Sequence, residues 1–460
     1  FTVTVTVTDD DGGVGSDTVT VTVNNVDPVA EAGNDQTVDE GDLVIFGGSF
    51  VDPGSADTHV FDWDFGDGST GSGSLTPGHA YADNGVYIAT LTVTDDDGGV
   101  GTDSVTITVN NVAPTVDLGA DRTVDEGDLV SFTATITDPG ILDTHYVLWD
   151  FGDGTGAVGP GWVDIDHIYY DNGTYTVTVT VTDNDGGVGV DTLIVTVDNV
   201  APLVDAGADQ TVDENDLVNF AGAFSDPGLF DTHTIEWDFG DGGTDSGSLT
   251  PSHVFADNGF YTVTLTVTDN DGGVGVDTLM VTVNNVSPTV DAGVDQSVNE
   301  GDSVIFVGSM FDPGTLDTHT ILWEFGDGNT DTGSLTPSHA YADNGSYTVT
   351  LTVTDDDGGQ AIDTLTVTVA NVDPIPEAGA NRITDEGTVL TFTGSVFDAG
   401  SADTHTGMWD FGDGTSDDSG SLSTSHAYAD DGVYIVTLRV TDDDGGVGVD
   451  TLDVIVNNVA

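Results

Sequence analysis

Residues 260–268 read Phe-Tyr-Thr-Val-Thr-Leu-Thr-Val-Thr. Tyr261, Val263, Leu265 and Val267 alternate with threonine, a period of two that buries one face of a β-strand and wets the other. Residues 278–283, Thr-Leu-Met-Val-Thr-Val, alternate in the same way through Leu279, Val281 and Val283. Between them lies Asp-Asn-Asp-Gly-Gly-Val-Gly, a loop of turn formers. Outward from this pair, strands are expected over 217–224 and 233–239, with shorter ones near 203–207, 211–213 and 249–255. Helical periodicity is missing. About seven short strands in a span of this size predict a β-sandwich.

The pattern recurs. The hexamer Trp-[Asp/Glu]-Phe-Gly-Asp-Gly begins at Trp63, Trp149, Trp237, Trp323 and Trp409, at spacings of 86, 88, 86 and 86 residues. Asn-Val-x before Pro28, Pro114, Pro202, Pro288 and Pro374 gives the same frame. The units run 27–112, 113–200, 201–286, 287–372 and 373–459, and a fixed period of this kind marks a repeat array. Residues 1–26 match only the last third of a unit, as expected of an excerpt from a longer array.

The 460 residues hold 82 acids against 3 bases, for a formal charge of −79, and no cysteine. Nucleic-acid binding requires a basic face and is excluded. No apolar run is long enough for a spanning helix, so no membrane insertion is expected within this segment. Disulfides are impossible. A hydrophobic fraction of 37% supports folded domains rather than a disordered polyanion.

Two further signals sharpen the fold. Each hexamer places a Trp on an apolar strand, where a sandwich core often buries one. Asp257-Asn258-Gly259-Phe260-Tyr261 has the form of a tyrosine corner, repeated as Asp83-Gly85-Tyr87, Asp171-Gly173-Tyr175, Asp343-Gly345-Tyr347 and Asp430-Gly432-Tyr434. With Trp-Asp-Phe-Gly-Asp-Gly at 63–68 and His-Ala-Tyr-Ala-Asp-Asn-Gly-Val-Tyr-Ile-Ala-Thr-Leu-Thr-Val-Thr-Asp-Asp-Asp-Gly at 79–98, the chain resembles tandem PKD (polycystic-kidney-disease) domains. The resemblance implies an all-β array of immunoglobulin-like sandwiches of about seven strands each. It implies extracellular, non-catalytic modules that serve as spacers or contact domains. Unit 113–200 departs from the pattern between 155 and 170, and Glu324 replaces the Asp after Trp.

The acids are biased: 9 are Glu and 73 are Asp. Unit 201–286 carries fifteen acids and no base, so ion pairing cannot neutralise it. Short carboxylates in loops suit turns and oxygen-ligand sites for a hard cation. In a seven-strand sandwich the chain entry, the second-to-third-strand loop and the last loop share one end. Asn199, Asp226, Asp231, Asp269 and Asp271 are therefore expected to converge. Some members of the resembled family bind calcium with a linker Asn, an Asp of the second loop and an Asp of the last. By resemblance those roles fall on Asn199, Asp226 and Asp269. They fall equally on Asn25, Asp52 and Asp95; Asn111, Asp138 and Asp183; Asn285, Asp312 and Asp355; and Asn371, Asp398 and Asp442. Spacing alone adds a second Asp per loop: Asp57 and Asp97, Asp143 and Asp185, Asp317 and Asp357, Asp403 and Asp444. About one or more calcium ions per unit are expected. Asp-Glu-Gly-Asp (39–42, 125–128) and the Asp-Asn of Asp-Asn-Gly form a second acidic set, expected to face the next unit across the linker.

The ten His come two per unit without the short spacing of a zinc site, which favours structural hydrogen bonds. An active site is normally built once, whereas these carboxylates recur in every unit, so the chain is not read as an enzyme. The expected function is an extracellular or cell-surface structural array: a stalk, fibre, filament or adhesin extender stiffened by calcium. One alternative is a module that binds a surface glycan, a protein or copies of itself, with Trp162, Tyr169 and Tyr170 as its candidate surface. The second is a salt-adapted spacer without specific metal sites.

Overall fold

The computed structural model describes residues 1–459, and no α-helix occurs among them. The chain resolves into two compact units, Phe1–Leu203 with Ser225–His233 and Thr268–Gly275, and Val204–Phe224 with Thr234–Val267 and residues 276–459. The first holds the 1–26 hairpin, repeats 27–112 and 113–200 and three segments of repeat 201–286; the second holds the rest of that repeat and the two that follow.

Repeat 113–200 serves as the example. Its strands are β1 (Thr115–Asp117), β2 (Arg122–Asp125), β3 (Leu129–Thr133), β4 (Thr135–Thr137), β5 (His145–Asp150), β6 (Gly156–Pro160), β7 (Asp164–Ile168), β8 (Gly173–Asp183) and β9 (Val188–Asp198). One sheet has the order β2-β9-β8-β5-β6. The long hairpin β8–β9 pairs antiparallel from Gly173↔Val197 to Thr182↔Val188. β2 joins its edge in parallel, Arg122 opposite Val195. The facing layer consists of two short ladders, β1–β4 and β3–β7.

The threonine–valine alternation sets the core. Val177, Val179 and Val181 of β8 are fully buried, together with Val195 of β9 and Trp149 of β5. Phe132 from the facing layer meets Trp149 at a centroid distance of 6.0 Å. Burying such rings contributes the largest share of apolar area per residue. The Trp149 Nε1–H donates to the Trp162 carbonyl at 2.8 Å, so the ring brings no unpaired polar atom into the core. The tyrosine corner forms as expected: the Tyr175 hydroxyl donates to the Asp171 carbonyl at 2.9 Å, and Tyr87, Tyr261, Tyr347 and Tyr434 repeat the bond.

Two details differ from the sequence reading. Each full repeat holds nine short strands rather than about seven. The segment 217–224 is two strands, Leu217–Asn219 and Ala223–Ser225, which pair with different partners. Gly222 lies at the break. A Cβ there would sit 2.5 Å from Leu265 Cδ2 and 2.8 Å from Trp237 Cζ2, so only glycine lets the backbone cross this close to the core. Residues 1–26 form a hairpin, Thr2–Thr8 against Val14–Thr20, exposed on both faces.

Candidate metal centre at the repeat seams

The loop after β4 and the loop after β8 lie at the same end of the sandwich, beside the linker. In repeat 113–200, Asp138 accepts the Gly140 N–H on Oδ1 at 3.0 Å, while its Oδ2 lies 2.8 Å from His145 Nε2. Asp183, at the end of β8, accepts the Asp185 and Gly187 N–H groups on Oδ1. Its Oδ2 accepts the Asn111 amide at 3.0 Å. The linker Asn and the last-loop Asp meet in every repeat, as Asn25–Asp95, Asn199–Asp269, Asn285–Asp355 and Asn371–Asp442. The second-loop Asp meets a His in every repeat, as Asp52–His59, Asp226–His233, Asp312–His319 and Asp398–His405. The His59 hydrogen bond holds Asp52 below the ordinary carboxylate range, and the Asn25 amide does the same for Asp95. Burial works against Asp183 and Asp269, but bonds from Asn111 and Asn199 and from loop amides keep both low.

The Asp added from spacing alone behaves differently. Asp143, Asp231, Asp317 and Asp403 bury both carboxylate oxygens, and none of these atoms has a hydrogen-bond partner. The Oδ1 atoms of Asn111, Asn199, Asn285 and Asn371 are also buried and unpartnered. Burial pushes the Asp143 carboxyl up to about 6, with the Glu40 charge next in importance. Asp403 rises to about 6 through burial and Glu300. Asp231 and Asp317 shift in the same direction, from burial and then Asp226 or Asp312.

The exit end of the preceding repeat supplies the rest. Glu40 is 2% exposed: its Oε1 accepts the linker Val112 N–H at 2.7 Å, and its Oε2 is buried without a partner. Glu126, Glu214 and Glu300 repeat both features, on Val200, Val286 and Val372. Oxygens of Glu40, Asp83 and Asp143 lie within 4.8 Å of one another, as do those of Asp138, Asp143 and Asp183. Glu126, Asp171 and Asp231 form a group that matches the first, whereas Glu214 meets Asp312 and Asp317, the second-loop Asp and the spacing-derived Asp of the following repeat. Two carboxylates at such a distance repel by roughly 3 kcal/mol at an effective dielectric of about 20. Backbone bonds also cross the seams, from Leu142 N–H to the Ala82 carbonyl and from Ala402 N–H to the Ala342 carbonyl.

The remaining loop acids, Asp97, Asp185, Asp271, Asp357 and Asp444, are exposed. Asp97, Asp271 and Asp357 still help to raise Asp57, Asp231 and Asp317, so they form the rim of the cluster rather than its floor. Asp57 shows what the preceding repeat adds. Its counterpart of Glu40 does not occur in the 1–26 hairpin, and its oxygens are not among the buried, unpartnered set. Glu40 and its equivalents lay inside the acidic motif read from sequence but were not distinguished there from neighbouring Asp. The ten His have structural partners: five pair with the second-loop Asp, and five pair with the Asp of Gly-Asp-Gly, such as His79 with Asp67.

The fold and its seams define a tandem array of immunoglobulin-like β-sandwiches whose junctions are lined by carboxylates. The sequence profile of the PKD domain matches residues 25–109, 111–197, 199–283, 285–369 and 371–456, and the chain belongs to that family. Pre-pro-metalloprotease PrtV of Vibrio cholerae is 45% identical over 62 residues, 14% of this chain and 7% of that protein. Collagenase ColA of Clostridium perfringens is 33% identical over 97 residues, 21% of this chain and 9% of that protein. The chain thus spans less than a tenth of the length of either relative. Among solved structures, the PKD1 domain of Vibrio anguillarum Epp is 31% identical, with 19% of this chain and 98% of that one covered and a TM-score of 0.17. A tetra-tandem repeat from the extending region of a large adhesion protein is 16% identical, with 75% and 99% covered and a TM-score of 0.36. The tandem PKD fold points to a structural, non-catalytic role.

Proposed function

We propose that the chain is an extracellular structural array whose repeat seams bind calcium and are stiffened by it. The observation that carries this reading is the set of buried, unpartnered oxygens on Asp143, Asp231, Asp317 and Asp403. A buried carboxylate without a partner costs several kcal/mol, and repulsion from its neighbours adds to that cost. A hard cation taking 6–8 oxygen ligands at about 2.3–2.6 Å reverses both terms. Asn111 Oδ1, Asp138, Asp143 and Asp183 offer oxygens of the required kind at one seam, and the other repeats offer the same set. The groups present also fit calcium: carboxylates and an amide, with no thiol, and with each imidazole already held by an Asp.

Neutralising the seam orders the linker and holds successive sandwiches in one orientation, as a stalk or adhesin extender requires. The proteins that carry matching segments, a pre-pro-metalloprotease and a collagenase, support placement outside the cell, where calcium is abundant. A salt-adapted spacer would keep its acids solvated, and the buried oxygens favour a specific site over that reading. Trp162 and Tyr170, exposed on the divergent repeat, keep glycan or protein contact as a second reading, whereas Tyr169 is buried with its hydroxyl on the Phe151 carbonyl and is no part of that surface.

Small-angle scattering of the chain in chelator and in millimolar calcium tests the stiffening. The reading expects a longer, narrower distribution of distances in calcium. An identical distribution in both buffers, at matched ionic strength, overturns it.

A further inference from the structure

The seam between repeats 27–112 and 113–200 carries more ligand oxygens than one ion uses, and they form two groups that share one residue. Glu40, Asp83 and Asp143 make the first; Asp138, Asp143 and Asp183 make the second. Asp143 belongs to both, and both of its oxygens are buried without a partner. The first group spans two repeats, whereas the second lies within one.

The glutamate is the independent sign. Glu40, Glu126, Glu214 and Glu300 are each 1–2% exposed, and each aims an unpartnered Oε2 into the seam. A Cβ built on Gly140 would lie 2.5 Å from Asp143 Oδ2 and 2.8 Å from Glu40 Oε2. On Gly228 it would lie 2.2 Å from Asp231 Oδ2 and 3.0 Å from Glu126 Oε2. Oxygens of two repeats therefore face one gap that a glycine keeps open. Charge sets the number of ions. Five carboxylates converge at the seam, so one dication leaves three negative charges and two leave one.

We infer that each seam binds two divalent cations bridged by the shared Asp (Asp143, Asp231, Asp317 or Asp403). One is held by the following repeat alone. The other is clasped between that repeat and the buried Glu and the exit-loop Asp of the preceding one. This rests on the calcium reading above. It adds that the second cation binds only where two repeats are docked, so ion binding and seam closure are one event. At the entry of repeat 27–112, Asp52, Asp57 and Asp95 form the inner group. Glu386 at the far end is only half-buried, with no repeat described beyond it.

The test is calcium stoichiometry of the full chain by equilibrium dialysis and elemental analysis, compared with Glu40→Gln/Glu126→Gln/Glu214→Gln/Glu300→Gln. Gln keeps an oxygen for the linker N–H, and circular dichroism checks the fold. A second variant, Asp83→Asn/Asp171→Asn/Asp257→Asn/Asp343→Asn, leaves the backbone carbonyls of the tyrosine corners in place. Two ions per seam in the parent, falling to one in either variant, is the expected result. One ion per seam in parent and variants alike overturns this inference and leaves the calcium reading standing. No bound calcium in any of them overturns both.

Discussion

Replacing the four shared aspartates, as Asp143→Asn/Asp231→Asn/Asp317→Asn/Asp403→Asn, should change the stability of the chain with opposite signs in chelator and in calcium. Without metal, Asp143 and Asp403 are raised from 3.8 to about 6. Holding that charge in the seam costs about 3 kcal/mol, at ~1.36 kcal/mol for each tenfold change in the proton equilibrium. Water at the rim screens the seam, so about 1–3 kcal/mol per seam is the working figure. The amide carries no charge, so in chelator at neutral pH the variant is the more stable protein. For a repeat of this size 1 kcal/mol moves the melting temperature by about 4–8 °C. A rise of roughly 4–24 °C is expected by calorimetry in chelator. In millimolar calcium the same variant has lost its bridging ligand and melts below the parent. A variant that melts lower than the parent in both buffers, or equally in both, refutes the reasoning: the buried oxygens would then be neither a cost nor a ligand.

Other outcomes follow from the same geometry. Metal-free chain should gain stability as pH falls from 7 to 5. A carboxyl raised in the folded state takes up its proton first, so its penalty is present above about 6 and fades towards the ordinary range, whereas Asp52 and Asp95, held low, lose their contribution only below that range. Chelator melts across this pH window check the sign, and a falling melting temperature contradicts it. Gly140→Ala places a methyl against Asp143 and Glu40 and should weaken calcium binding at that seam while the sandwich stays folded, as read by calcium titration and circular dichroism. Trp323→Ala should cost its repeat about 3–5 kcal/mol in urea unfolding, because the ring is fully buried against Phe306. Tyr261→Phe removes only the corner hydrogen bond to Asp257 and should cost about 0.5–1.5 kcal/mol in the same assay.

The long hairpin was legible because threonine and valine alternate without a break from Tyr261 to Thr268, a pattern with one physical solution. The tryptophans and tyrosine corners were legible for a similar reason: each joins a fixed spacing to a single buried role. The split of 217–224 was not, because Gly222 acts through the space it leaves to Trp237 and Leu265, and sequence carries no distance. At the site, Asn111 and Asp183 were placed by resemblance, and their hydrogen bond shows them together. Asp143 came from spacing, and both of its oxygens are buried without a partner. Asp185 came from the same rule and lies in solvent, since spacing cannot separate the floor of a loop from its rim. The missed residue is Glu40. Its signal was present: of nine Glu in a chain of 73 Asp, five occupy this one place, at Glu40, Glu126, Glu214, Glu300 and Glu386. The longer side chain lets one oxygen take the linker N–H while the other reaches the next repeat.

The most buried charges of this polyanion, among them Glu40, Glu126, Asp183 and Asp269, lie at its repeat seams. Sequence alone gives a formal charge of −79 that any added salt would screen, so bulk screening has to be separated from specific binding. Thermal melting of the intact chain in chelator, in chelator with potassium chloride, and in millimolar calcium at the same ionic strength makes that separation. A large rise in melting temperature with calcium, not reproduced by potassium, is the predicted result; equal rescue by the two salts would contradict specific cation sites at the seams.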